Sequence, residues 1–305
     1  MSDTPMLGDP PVRVSVETDL VHRLVADQFP QWAYLPVRPV ADGGWDNWTF
    51  HLGSEMSVRM PSAAEYALAV PKEHRWLPEL APKLPLPIPV PLAQGVPTSE
   101  YPYAWSVYPW LAGEPATRDR IADPVKFALD LAEFLGALRD VDPTDGPGPG
   151  VHNWYRGGPL RTYAGLADNA LAALTGYLDV DRARRIWQST LEIPWDGVPI
   201  WFHGDVARGN LLLDQGRLAA VIDFGTCGVG DPACDLAVAW TLLTAEGRAA
   251  FRARLAVDDA TWQRGRGWAL WKMLTTCAYG LDEADDPDES TLEARRALDE
   301  ILAED

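Results

Sequence analysis

Three polar side chains in the second half of the chain keep a spacing that phosphoryl chemistry can use. The stretch from Trp201 to Asp235 reads WFHGDVARGNLLLDQGRLAAVIDFGTCGVGDPACD. His203-Gly204-Asp205 is followed by Asn210, giving H-G-D-x-x-x-x-N, and Asp223-Phe224-Gly225 comes later. Moving a phosphoryl group to a hydroxyl needs a carboxylate to orient the hydroxyl and take its proton. It also needs oxygen ligands for Mg²⁺, which keeps only one or two protein ligands beside phosphate and water. The remaining work is positioning and charge stabilisation. One acid, one amide and a second acid could supply those groups.

The intervening residues suggest how the groups meet. Leu211 to Asp214 reads as a strand, Gln215-Gly216 as its turn, and Leu218 to Ile222 as the returning strand. This hairpin delivers Asp223 near Asn210, and Gly225 lets the backbone turn sharply afterwards. Taken singly, each residue has an ordinary structural explanation: an Asp or Asn in a turn or cap, a His as a satisfied core group. Their joint spacing across two motifs sets them apart. Asp231 precedes Pro232 and a helical pattern and is expected to cap it. Asp235 is expected to bond back toward Asp205's loop.

The spacing resembles the protein-kinase catalytic loop H-R-D-x-x-x-x-N followed by D-F-G. Gly204 in place of arginine, and the tail G-D-P-A-C-D-L-A from Gly230 to Ala237, resemble the aminoglycoside phosphotransferase and choline kinase-like superfamily. The resemblance implies Asp205 as catalytic base, Asn210 and Asp223 as Mg²⁺ ligands, and His203 as a support of the loop that packs on Phe224. It implies ATP or GTP as donor and an aminoglycoside-like hydroxyl compound as acceptor. A macrolide, an amino alcohol or a sugar is the alternative acceptor, and a nucleotide-binding pseudokinase the alternative class.

A nucleotide also needs cover for its phosphates. The loop Asp42-Gly43-Gly44-Trp45-Asp46-Asn47 lies between two extended segments, and N–H groups at Gly43, Gly44 and Asn47 could face phosphate oxygens. By the resemblance, Arg59 takes the place of the strand lysine that grips phosphate, with Glu73 as partner carboxylate and Glu65 as the alternative. Arginine can still hold phosphate oxygens through its planar fork. Trp105 to Trp110 resembles the hinge between lobes, where the base would bond to backbone at Val107 and Tyr108. Trp45 or Trp110 could touch a ligand.

Other elements frame these segments. Helical periodicity runs over Glu17 to Phe29, Ser62 to Leu80 with an interruption at Pro71 that is expected to start a second helix, Val125 to Arg139 and Ala164 to Leu178. Strands are expected around Thr49 to Leu52 and Ser57 to Met60. The proline-rich Leu84 to Leu92 reads as an extended connector. Strands come first and helices later, an α+β pattern. The expected fold is two-lobed and protein kinase-like. A small β-rich N-terminal nucleotide-binding lobe (1–108, hinge near 105–110) precedes a larger, mainly helical catalytic and acceptor lobe (109–305).

Composition sets outer limits. The chain has 305 residues, 47% of them hydrophobic, which is ample for a core. The net charge of −18 disfavours nucleic acid and anionic membrane as partners and would attract cations. An acidic run, Asp282, Glu283, Asp285, Asp286, Asp288 and Glu289, could pair with ammonium groups, although such runs are more often solvated loops. Cys227, Cys234 and Cys277 show no zinc-knuckle spacing and make an odd count, pointing to a reducing cytoplasm. The first residues lack the pattern of a signal peptide.

Overall fold

The computed structural model describes residue 7 and residues 10–41, 43–283 and 288–304. Asp42, Asp285 and Asp286 lie outside the described residues, as do the side chains of Asp282 and Glu283.

The N-terminal lobe is built on strand alternation. Strands β1 (Val37–Pro39), β2 (Asn47–Leu52), β3 (Met56–Pro61), β4 (Ala93–Gly95) and β5 (Trp105–Pro109) form an antiparallel sheet in the order β1-β2-β3-β5-β4. Phe50 pairs with Val58, and Val58 with Val107, so all three share one face. With Leu52, Met60 and Trp105 they pack against Val21, Leu24 and Val25 of helix α1 (Thr18–Gln28). The alternate positions Thr49, Ser57, Arg59 and Tyr108 must then point to the other face. The period of two thus puts the one cation of β3 opposite the core.

Helices α2 (Ala64–Ala67) and α3 (Ala69–Leu80) follow β3. The break falls at Leu68, so the second helix starts before Pro71 and not at it. Pro71 sits in the first turn, where its missing N–H would have had no intrahelical partner. Trp76, Leu77 and Leu80 of α3 belong to the core of the larger lobe. The proline-rich connector has no regular structure, but Pro87 accepts a backbone hydrogen bond from Val221 at 3.1 Å.

In the larger lobe, β6 (Glu114–Pro115), β7 (Ile200–Phe202), β8 (Leu211–Asp214), β9 (Arg217–Val221) and β10 (Gly228–Gly230) make two small sheets, β6-β8-β9 and β10-β7. Gln215 (φ 49°) and Gly216 (φ 76°) turn β8 into β9, both with the positive φ that a tight hairpin requires. Helix α4 (Pro124–Arg139) starts with Pro124 and is capped by Asp123, which accepts from the N–H groups of Val125 and Lys126. Helix α5 (Ala164–Ala173) stops short of the expected Leu178, ahead of Gly176 at φ 90°. Then come α6 (Val180–Leu191), α7 (Val238–Thr241), α8 (Ala245–Leu255), α9 (Asp259–Tyr279) and α10 (Glu289–Ala303). All three cysteines are buried and free. Among the described residues no helix is long and apolar enough to cross a membrane.

One buried ion pair fastens α9 to the turn before α7. Arg264 Nε lies 2.7 Å from Asp231 Oδ2 and Nη2 lies 3.3 Å from Oδ1. Asp231 also caps the 3₁₀ turn Pro232–Ala237 by accepting from Ala233 N–H. Both side chains are less than a tenth exposed, so removing one leaves an uncompensated buried charge. Arg264→Met should therefore lower the unfolding free energy by about 3–5 kcal/mol. A denaturant midpoint unchanged from the parent protein would show that this pair does not hold α9 in place.

Candidate active site

The loop between β7 and β8 carries His203, Gly204 and Asp205, and one buried carboxylate organises it. Asp235, 1% exposed, accepts from His203 N–H at 2.9 Å and Gly204 N–H at 2.7 Å. The His203 ring bonds Ile222 O through Nε2 at 3.0 Å and receives Asp205 N–H on Nδ1 at 3.2 Å. These partners place its proton on Nε2. The ring stands edge-on to Phe224 with centroids 4.5 Å apart. Gly204 has φ 89°, and a Cβ there would come within 2.6 Å of Thr226 O. The site's own packing thus demands glycine after the histidine.

Asp205 is held from two sides. Asn210 Nδ2 donates to its carbonyl at 2.9 Å and to Oδ2 at 3.2 Å. Lys272 Nζ, from α9, lies 2.5 Å from Oδ1. Arg156 donates to Gly204 O at 3.0 Å and is surrounded by the rings of Tyr163, Trp268 and Trp271. Burial pushes the Asp205 carboxyl up, but the Lys272 and Arg156 cations outweigh it and bring its pKa down to about 2. Asp205 is a carboxylate at any physiological pH.

Asp223 follows β9 with φ 65°, a left-handed conformation uncommon for a residue with a side chain. Ile222 N–H donates to Asn210 O at 2.9 Å, so the hairpin brings Asp223 alongside Asn210. Arg59 Nη2 reaches Asp223 Oδ1 at 2.9 Å, and Nη1 lies 3.7 Å from Glu73 Oε1. Glu73, not Glu65, is the carboxylate beside Arg59, and Tyr108 Oη donates to its other oxygen at 2.6 Å. Burial works against the Arg59 charge, but Asp223 and Glu73 hold it firmly protonated. Next to Glu73, the buried Lys72 ammonium donates to the carbonyls of Gly225 (2.6 Å) and Cys227 (3.0 Å). Helix α3 is thereby tied to the turn that presents Asp223.

Two clefts open around these groups. One, of about 420 Å³, is lined by Gly43, Gly44, Asn47, Arg59, Asn210 and Asp223, with Tyr108, Pro109, Trp110 and Leu111 along one edge. The other, of about 270 Å³, has walls of Trp45, Tyr66, Trp154, Tyr163 and Trp271, with Asp205 and Arg156 among them. Asp46 borders both. Its burial, and then the nearby Asp223 charge, push the Asp46 pKa up to about 7 against the pull of Arg59.

Most of the expected residues converge, and one does not. Val107 is a fully buried core residue of β5 whose carbonyl accepts from Leu92 N–H at 2.8 Å. The cleft edge begins one residue later. In the acidic run, Asp288 caps α10 through Thr291 N–H, and Glu289 lies 3.5 Å from Arg208. Lys272, Arg156 and Asp46 were not anticipated. Only Asp46 carried a signal, as a carboxylate inside a loop expected to face phosphates.

The donor set suits a hard cation. Asn210 uses its amide nitrogen on Asp205, which leaves its carbonyl oxygen for other ligands, and Asp223 offers carboxylate oxygens beside it. One carboxylate and one amide oxygen match what Mg²⁺ takes from protein when phosphates supply the rest. Among the described residues no cluster of three His, Cys, Asp or Glu side chains forms an all-protein metal cage.

Several known proteins share this fold or parts of this sequence. The fold matches the GDP and kanamycin complex of APH(2")-IIia at TM-score 0.71 and 20% identity, covering 93% of this chain and 98% of that one. It also matches a macrolide 2'-phosphotransferase from Brachybacterium faecium at TM-score 0.58 and 20% identity, covering 92% and 97%. In sequence, an aminoglycoside 3'-phosphotransferase of Escherichia coli is 30% identical over 124 residues, 37% of this chain and 42% of that protein. A Salmonella typhimurium enzyme of the same name is 33% identical over 60 residues, 19% of this chain and 22% of its own length. The chain thus spans less than half the length of these curated relatives. The model of the phosphotransferase enzyme family matches residues 37–268, well over half of the chain, and the chain belongs to that family.

Proposed function

We propose that the protein transfers the terminal phosphoryl group of ATP or GTP to a hydroxyl of an aminoglycoside-like acceptor. The observation that carries this reading is the meeting of two clefts. Asn210, Asp223 and Arg59 line one of them beneath the glycine loop, and Asp205 lines the other. The nucleotide occupies the first cleft, with Gly43, Gly44 and Asn47 over its phosphates and its base against the strand edge from Tyr108 to Leu111. Residues 1–108 serve as nucleotide lobe and 109–305 as catalytic and acceptor lobe, hinged near 105–110. Related structures support both ligands, since one is a complex with GDP and kanamycin and another a complex with streptomycin and ATP.

The acceptor hydroxyl hydrogen-bonds to the Asp205 carboxylate. Its oxygen forms a bond to the terminal phosphorus as the bond from phosphorus to the bridging oxygen breaks, and the nucleoside diphosphate leaves. The hydroxyl proton passes to Asp205. A carboxylate with a pKa near 2 is a weak base. The hydroxyl proton therefore moves late, and Asp205 acts chiefly by orienting the nucleophile, as a loose transition state allows. Arg59, released from Asp223, grips phosphate oxygens. Asn210 and Asp223 would hold Mg²⁺, which would supply further neutralisation of phosphate charge.

Asp205→Asn keeps the size of the side chain but cannot take the proton. Its kcat, measured by phosphate transfer to a confirmed acceptor, should fall at least about 100-fold, with nucleotide affinity nearly unchanged. A variant that retains most of its kcat places the base elsewhere, and a wild-type protein that binds nucleotide yet transfers to no acceptor is a pseudokinase.

Asp223→Ala should weaken binding of the Mg-nucleotide in calorimetry while leaving metal-free nucleotide binding much less affected. Equal Mg-nucleotide affinity in parent and variant would remove Asp223 from the metal site.

Arg59→Ala should raise the nucleotide KM more than the acceptor KM, and Arg59→Lys should recover part of the loss, since a point charge still reaches phosphate. Identical nucleotide KM in all three proteins would remove Arg59 from the phosphate site.

A further inference from the structure

The carboxylate assigned to the acceptor hydroxyl already has a cation bound to it. Lys272 Nζ is 2.5 Å from Asp205 Oδ1, while Asn210 Nδ2 is 3.2 Å from Oδ2. One donor comes from α9 and the other from the loop's own end, and each takes a different oxygen. A carboxylate gripped at both oxygens cannot rotate about its terminal bond. Each oxygen still has a second lone pair, so a hydroxyl can be received in a defined plane.

Stability alone is a weak reason for this lysine. The two side chains are each 30% exposed, and ion pairs open to solvent contribute little to stability. Nor does Asp205 need Lys272 for charge alone, because Arg156 acts on it as well. What Lys272 adds is direction, from a helix whose position is fixed independently by Arg264 and by the buried Trp268 and Trp271.

We propose that Lys272 is a positioning residue for phosphoryl transfer: it fixes the plane of the Asp205 carboxylate and fills the cationic subsite beside the reacting hydroxyl. This rests on the transfer reaction assigned above. It has a particular consequence for acceptors with ammonium groups, which compete with the Lys272 ammonium for Asp205. Losing the lysine then harms turnover without harming the binding of such an acceptor.

Lys272→Met and Lys272→Arg, each made in the parent and in Asp205→Asn, test this with kanamycin as the cationic acceptor probe and labelled phosphate transfer as readout. In the parent background Lys272→Met should lower kcat at least about tenfold, leave Mg-nucleotide affinity unchanged and leave the kanamycin KM level or lower. Lys272→Arg should restore part of kcat. In the Asp205→Asn background the same Met substitution should alter residual kcat by no more than about twofold, because the lysine acts through that carboxylate. Equal losses in both backgrounds overturn the proposal, as does an intact kcat with the whole effect in KM.

A second measurement does not depend on turnover. Acetic anhydride should modify Lys272 several-fold faster in Asp205→Asn than in the parent, read by mass spectrometry of the peptide that contains it. Equal rates overturn the ion pair and the proposal together. A parent protein that transfers phosphate to no acceptor, but shows the acylation contrast, defeats the assigned reaction and leaves the Lys272–Asp205 pair established.

Discussion

A single buried carboxylate sets the backbone on which the site depends. Asp235 accepts from two successive N–H groups, those of His203 and Gly204, at 2.9 and 2.7 Å. Two adjacent N–H groups can converge on one carboxylate only if the chain curls, and Gly204 at φ 89° provides the curl. The curl turns Asp205 out of the core and directs its N–H to the His203 ring, whose other nitrogen is committed to Ile222 O. Without Asp235 both N–H groups would be buried unpaired, at about 1–3 kcal/mol each. The loop conformation is therefore enforced from below, by a residue that touches neither cleft.

The second constraint is charge. The chain carries −18 overall, yet the cleft lined by Arg59, Asn210 and Asp223 is the one proposed to take an anionic nucleotide. Asp46, Asp205 and Asp223 add local repulsion, which joins the larger effect of burial in raising the pKa of Asp46. The fold answers with cations from three separate elements: Arg59 from β3, Arg156 from the loop before α5, and Lys272 from α9. Each lies near a carboxylate it can partly neutralise. An acidic surface and a compensated centre are compatible because fields from exposed charges are screened beyond about 10 Å at ordinary salt.

How much of this could be read beforehand follows from sequence distance. The β8–β9 hairpin joins Asn210 to Asp223 within a few residues, and its turn chemistry is explicit in Gln215-Gly216. The Asp205, Asn210 and Asp223 cluster was therefore legible. Arg59 was singled out by the resemblance, and the register of β3 then shows which sheet face it takes. Val107 shows the limit of a resemblance: it locates a segment, whereas the face is set by register, and pairing with Val58 turns Val107 inward. Lys272 lies 67 residues from Asp205 and Arg156 lies 48 from Gly204, with no motif linking them. Only the packing of helices brings them in.

That packing concentrates on one stripe of α9. Arg264, Trp268, Trp271 and Lys272 follow the i, i+4, i+7, i+8 spacing of a single helix face. In order, they meet Asp231, the Arg156 guanidinium through both indoles, and Asp205. Asp231 and Asp235 both belong to the segment around the 3₁₀ turn that α9 packs upon, and Asp235 in turn holds the loop of Asp205. Gly265 permits this close approach, since a Cβ there would lie 2.5 Å from Leu236 Cβ. Rotating α9 by one residue, about 100°, would break all of these contacts at once. The same register that stabilises the larger lobe therefore places a cation beside the Asp205 carboxylate. The aromatic wall of the cleft that Asp205 lines moves with that cation, because Trp271 and Lys272 are neighbours on one helix.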